Sequence, residues 1–166
     1  MFSLRTMRAD DIPAVLSIQA QSYSEVILED EAVIRARLGA CPGTAWVAED
    51  ALGVCAYLFA YPSRLGKVTP LDGHFQPHAE ADCLYLHDLA VATRANGRGI
   101  GPALASHALQ QGQAQRLRYS ALVSVQDSER FWSRLGYDVH DALDNAQADH
   151  LDTYGTPAVY MVRSLQ

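Results

Sequence analysis

Residues 84–109, LYLHDLAVATRANGRGIGPALASHAL, constrain this chain more than any other stretch. A strand-like apolar segment passes into a short polar linker, then glycines at 97, 99 and 101, then a helix-like segment. The start of a helix carries unpaired N–H groups and the positive end of the helix dipole. Glycines let the main chain come close to a phosphate. The order strand, glycine loop, helix therefore predicts an anion site. Two nucleotide patterns fail the spacing test. A dinucleotide loop wants Gly-x-Gly-x-x-Gly, and here the third position is Pro102. A P-loop wants Gly-Lys-Ser/Thr, and no lysine follows. Pro102 lacks an N–H and suits a first helical turn, where that donor is unpaired anyway.

The chain has 166 residues, an ordinary size for one domain spanning 1–166, and 49% hydrophobic residues supply a core. A net charge of −6 with no basic stripe argues against a nucleic-acid partner and mildly favours a cationic one such as an amine. The N-terminus MFSLRTMRADD reaches charge too soon for a signal core, and the longest apolar run, Val54 to Tyr61, is too short to span a bilayer. Cys41, Cys55 and Cys83 form neither a CxxC pair nor a disulfide framework. The expectation is a reduced, cytoplasmic, single-domain protein with no membrane partner.

Hydrophobic periodicity predicts strands at 2–8, 44–49, 54–61, 84–91, 117–125, 137–140 and 158–165. Helices are expected from an Asp10 cap to about Tyr23, at 29–38 with Gly39 as the stop, at 99–113, and from Asp127 or Ser128 to Leu135. Residues 62–81 read as a long loop and 141–156 as a polar excursion. The result is a mixed α/β (α+β) architecture of about seven strands and about four helices.

The segment LHDLAV-ATRANGRGIG-PAL resembles the signature of the GNAT superfamily of acyl-CoA-dependent N-acetyltransferases. A second block, Phe131-Trp132-Ser133-Arg134-Leu135-Gly136-Tyr137, resembles that family's FYxxxGF element and follows at a fitting distance. The resemblance implies a mixed, mostly antiparallel central sheet of about seven strands flanked by about four helices. It implies acetyl-CoA as co-substrate, with no metal, and homodimers are frequent in the family. It implies that the amides of Asn96, Gly97, Arg98, Gly99, Ile100 and Gly101 hold the coenzyme A pyrophosphate. It also implies that the main chain of Leu89, Ala90 and Val91 meets the acyl group and the pantetheine arm, with Gln126 and Ser128 as further cofactor contacts. Asn96 stands where the family usually has Gln or Arg. Trp132 stands where many members have a tyrosine acid; an indole N–H donates but does not titrate, so Trp132 is left to pack on the pantetheine arm.

The implied chemistry is acyl transfer to a primary amine by direct attack, a small molecule being favoured over a protein. The nitrogen must first lose a proton, and alkyl amines titrate near 10.4, lysine's value, so a base helps. His87 precedes the LAV triplet by two residues, and strand alternation puts it on the face of Leu89 and Val91. It is similar in position to one of two strand histidines in aralkylamine N-acetyltransferases, with Tyr85 in place of the other. Its rival reading is a structural histidine. Asp88 falls on the opposite face of a regular strand, pairing with a neighbour or meeting a cationic substrate; a bulge changes that. Glu25, Glu29, Asp30 and Glu31 read as solvated helix-cap charges or as an amine attractor. Tyr57, Phe59 and Tyr61 read as core rather than pocket wall. His74 and His78 read as exposed rather than metal-binding. The second functional reading, prompted by Trp132, is a non-catalytic acyl-CoA sensor.

Overall fold

The computed structural model describes residues 1–166. Its strands are β1 (Ser3–Thr6), β2 (Ala45–Asp50), β3 (Gly53–Ser63), β4 (Cys83–Val91), β5 (Tyr119–Val125), β6 (Asp138–Val139) and β7 (Ala158–Ser164). Its helices are α1 (Ile12–Ser22), α2 (Glu31–Ala40), α3 (Ile100–Ala114), α4 (Glu129–Arg134) and α5 (Asn145–Asp152). The strands form one sheet in the order β1-β2-β3-β4-β5-β7-β6. All neighbours are antiparallel except β4 and β5. The mixed, mostly antiparallel seven-stranded sheet is the architecture expected from the sequence.

The sheet is covered on both faces, which is why β3 and β4 read as nearly continuous apolar runs. One face carries Tyr57, Phe59, Tyr61 and Tyr85 against Val15 and Ile18 of α1 and Ile34 of α2. The other carries Leu58, Ala60, Leu84 and Leu86 against Ile100, Leu104 and Ala108 of α3 and Trp132 of α4. The Tyr57–Phe59–Tyr61 row is thus core.

Five helices stand where about four were expected. The additional one, α5, lies in the polar excursion, and only Gln147 of its residues is buried. It is short and holds only Ala146, Ala148 and Leu151 as apolar side chains, but its start is marked: Asp144 caps it by accepting the Gln147 N–H at 2.9 Å. The first two helices begin later than expected. Asp10 and Asp11 belong to a tight turn before α1, where Asp11 accepts the Arg8 N–H at 2.7 Å and is gripped by Arg5. Gly39 lies inside α2 rather than ending it.

The long loop after β3 is stapled down. Thr69 N–H donates to the Tyr85 hydroxyl at 3.3 Å, Tyr154 donates to Thr69 O at 2.8 Å, and Gly66 N–H donates to Tyr160 at 2.9 Å. From α5, Gln147 accepts the Val68 N–H at 2.7 Å. Loop and α5 together roof the α1 side of the sheet.

Candidate active site

The sheet opens between β4 and β5. Their parallel ladder runs from the Cys83–Tyr119 pair only to Leu86–Leu122, while β4 continues to Val91 and β5 to Val125. A cavity of about 530 Å³ fills the gap and reaches both faces of the sheet. Gly101, Phe131 and Trp132 line it on the α3 side; Tyr23, Ile27, Leu71 and Tyr154 line it on the α1 side.

At one end stands the glycine loop. Gly97 and Gly99 have φ of 77° and 75°, the left-handed region that glycine occupies without steric cost. No atom lies within 4 Å of where a Cβ would project from either. The main-chain N–H groups of Gly97, Arg98, Gly99, Ile100 and Gly101 make no hydrogen bond within the chain. Five successive free amides at the start of a fifteen-residue helix form an anion cradle. Gly99→Ala is expected to lower stability by about 1–2 kcal/mol, because a left-handed backbone drives Cβ against the next carbonyl; urea denaturation measures it. Arg98 does not reach over the loop. It shares the Asp50 carboxylate with Arg94, each at 2.8 Å, and the two guanidiniums hold Asp50 below its ordinary range. Two cations on one anion leave positive charge at the cradle's lip.

The middle of the cavity is main chain. Ala92 N–H turns toward β3 and donates to Cys55 O at 2.8 Å, whereas Leu89 C=O turns away from β3 to accept the Tyr23 hydroxyl at 2.8 Å. The N–H and C=O of a residue in an antiparallel ladder point the same way, and successive residues alternate. The N–H groups of Leu89 and Val91 therefore face the gap, and that of Ala90 faces β3.

The far end is built by a bulge. β3 residues Phe59 and Ala60 pair with Asp88 and Leu86, so His87 is an extra residue in β4. This corrects the regular-strand expectation. His87 shares its face with Tyr85, stacked at 6.2 Å between ring centroids, and with Phe75 at 5.5 Å. Leu89 and Val91 pack on the opposite core. Asp88 is brought to the face of His87, where it accepts the Tyr57 hydroxyl at 2.7 Å. Its other oxygen, Oδ1, is buried with no partner. Burial, with the Glu29 charge adding to it, pushes the Asp88 carboxyl above its ordinary range.

Glu29 is not a solvated cap charge. Its side chain is 4% exposed and pairs with Arg37, itself 1% exposed, through contacts of 2.6 and 2.7 Å. Glu29 also accepts Asp72 N–H at 2.9 Å and contacts His87 Nε2 at 3.1 Å. Arg37 further donates to Gly73 O at 2.7 Å. Burial pushes the Glu29 carboxyl up, but hydrogen bonds from His87 and Arg37, with the Arg37 charge, outweigh it and hold the group below its usual range. The sequence did carry a signal for this pair. Arg37 lies three residues after Ile34 and directly before Leu38, on the apolar face of α2, where a charge needs a partner.

Of the other expected site residues, Asn96, Ser128 and Trp132 line the cavity. Ser128 Oγ is 2.8 Å from Ser124 Oγ. Gln126 lines it too, but its amide is committed elsewhere, accepting Ser24 N–H at 2.8 Å and donating to Ser22 O at 2.9 Å. Tyr85 is buried behind His87 and does not line the cavity. No group of three or more His, Cys, Asp or Glu side chains is arranged to hold a metal ion.

A split mixed sheet, a free-amide cradle and a buried carboxylate meet along one gap, an arrangement suited to a ligand with an anionic group. The family model for the acetyltransferase (GNAT) family matches residues 12–137, and the chain belongs to that family. No curated protein sequence matches it. Among solved structures it is similar to the GphF GNAT-like decarboxylase in complex with isobutyryl-CoA, with 14% identity, a TM-score of 0.78, and 99% of this chain and 100% of that one covered. It is also similar to Ard1 from Thermoplasma volcanium, with 20% identity, a TM-score of 0.75, and 99% and 98% covered. A third similar structure is Arabidopsis thaliana Naa50 in complex with the bisubstrate analogue CoA-Ac-MVNAL, with 14% identity, a TM-score of 0.69, and 98% of each chain covered.

Proposed function

We propose that this protein is an N-acetyltransferase that uses acetyl-CoA to acetylate a small primary amine. One observation carries the reading. A single cavity runs from the free-amide glycine loop, where Asn96 and Gly101 line it, to the unpartnered carboxylate oxygen of Asp88 through the split between β4 and β5.

The residues present fit coenzyme A. The cradle of residues 97–101 suits the pyrophosphate, with the Arg94–Arg98 pair adding positive charge. The inward amides of Leu89 and Val91 suit the polar groups of an extended arm, and Phe131 and Trp132 wall it. Bound acetyl-CoA supplies an activated acetyl group as a thioester. The chain's own part is positional and electrostatic. Main-chain N–H groups of β4 donate to the oxygen on which negative charge grows. Asp88 takes the proton that an ammonium must lose before its nitrogen can attack. Its raised affinity for protons narrows the gap to the amine's own, near 10.4. His87, the base expected from the sequence, has Nε2 engaged by Glu29. The Trp132 indole N–H does not titrate, so it does not serve as an acid toward the departing thiolate, whose parent thiol has a pKa near 8.5. The roof of Ile27, Leu71 and Tyr154 over the α1 end supports a small acceptor over a protein chain.

Calorimetric titration with CoA, followed by a CoA-release screen across amines, tests the reading. The expected result is binding that weakens with salt, and release with at least one primary amine. No binding overturns the site. Binding with no release over the whole panel supports the acyl-CoA sensor instead.

A further inference from the structure

Only three buried side-chain polar atoms in this chain lack a hydrogen-bond partner: Arg5 Nε, His87 Nδ1 and Asp88 Oδ1. Arg5 Nε lies 3.1 Å from Glu49 Oε1, within ion-pair range. The remaining two belong to adjacent residues, on one face of β4, at its bulge. Buried polar groups are nearly always satisfied, so two neighbouring orphans call for a ligand group between them. Both residues line the cavity, and the His87 side chain is 2% exposed.

Their chemistry is set by Glu29. A carboxylate accepts and cannot donate. Glu29 already takes two N–H groups from Arg37 and one from Asp72, and its contact with His87 Nε2 requires the proton to be on Nε2. In the neutral ring that leaves Nδ1 as a bare lone pair. His87 Nδ1 and Asp88 Oδ1 are then two acceptors side by side. No Lys or Arg lines the cavity: apart from tyrosines, its ionisable lining residues are Glu29, His87 and Asp88. Arg37 is spent on Glu29 and Gly73 and does not line it. A substrate carboxylate finds no partner there and is costly to desolvate.

We infer that Glu29 is a positioning residue that locks His87 in its Nε2–H tautomer, so that His87 Nδ1 and Asp88 Oδ1 seat the ammonium group of an amine bearing no adjacent carboxylate. The inference rests on the acetyltransfer reading and narrows its acceptor to amines over amino acids. One proton leaves the seated ammonium for Asp88, and His87 Nδ1 keeps its hydrogen bond to the resulting amine.

Nitrogen-15 NMR of the histidine-labelled full chain tests this without turnover, with the His87 signals assigned by their loss in His87→Gln. At neutral pH the expected pattern is a protonated Nε2 and a bare Nδ1. Methylammonium is expected to move the Nδ1 signal in a saturable way. Tetramethylammonium, which has no N–H, and glycine, which adds a carboxylate to the same head, are expected not to. Glu29→Gln presents an amide N–H to the ring, and where it folds the proton is expected on Nδ1 with the methylammonium response lost. The wild-type measurement stands without that variant. A proton on Nδ1 in the wild type, no response to methylammonium, or equal responses to all three probes overturns the inference. Acetylation of amines alongside any of those results leaves the transferase reading standing, whereas an intact seat in a chain that binds no CoA overturns that reading alone.

Discussion

Asp88→Asn is expected to lower kcat/KM for the amine by about 10²–10⁴-fold, the usual contribution of a positioned proton acceptor. Acetyl-CoA affinity is expected to stay unchanged, because the cradle at 97–101 and the inward amides of β4 are main chain. The pH profile separates this from a folding defect. Burial raises the Asp88 carboxyl, so its protonation gives an acid limb above the ordinary aspartate value near 3.9. Activity rises with pH through that limb in the wild type, and the limb is absent in the variant. Stability runs the other way. A carboxyl raised by folding favours the folded state below its folded pKa and loses that contribution as pH rises through it. The neutral amide keeps an acceptor for Tyr57 and removes a charge that burial disfavours, so Asp88→Asn is expected to match or exceed the wild type in thermal stability at neutral pH. A variant of wild-type activity contradicts the assigned role.

Arg37→Met is expected to cost about 3–5 kcal/mol, because it leaves the Glu29 charge buried without its main partner. That is a large part of the stability of an ordinary domain. It also frees Gly73 O, loosening the loop that roofs the cavity. Urea denaturation reads the effect as a lower midpoint with an unchanged slope. The acid side gives a second check. In the wild type the folded Glu29 pKa lies below the unfolded value near 4.3. Its stabilisation is therefore complete above about 4.3 and is lost as pH falls toward the folded pKa. Without Arg37, that loss is expected to begin at higher pH. A variant within about 1 kcal/mol of the wild type contradicts the hub.

The parts of this molecule that were legible in the sequence are those written in local pattern. The 97–101 loop announces itself because glycine alone accepts left-handed backbone freely and because Pro102 marks a first turn. The order of strands and helices follows from periodicity, and α5 is hard to read because it is only eight residues long with Ala146, Ala148 and Leu151 as its apolar side chains. What long-range pairing decides was not legible. The inserted residue in β4 exists only relative to Phe59 and Ala60 of β3, so no reading of LHDLAV alone can move Asp88 to the face of His87. Glu29 looked like one of four cap charges because its partners lie 8, 43 and 58 residues away in sequence. Gln126 was sought as a cofactor contact, yet its amide ties the segment after α1 to the end of β5, another contact set by tertiary structure.

The most direct test of the whole assignment is mass analysis of products after incubating the full chain with acetyl-CoA and a mixed panel of primary amines and amino acids. Acetylated primary amines with stoichiometric CoA release, reduced in Asp88→Asn by the factor given above, is the expected result. Retention of intact acetyl-CoA with every amine, by a chain that binds it, contradicts the assignment.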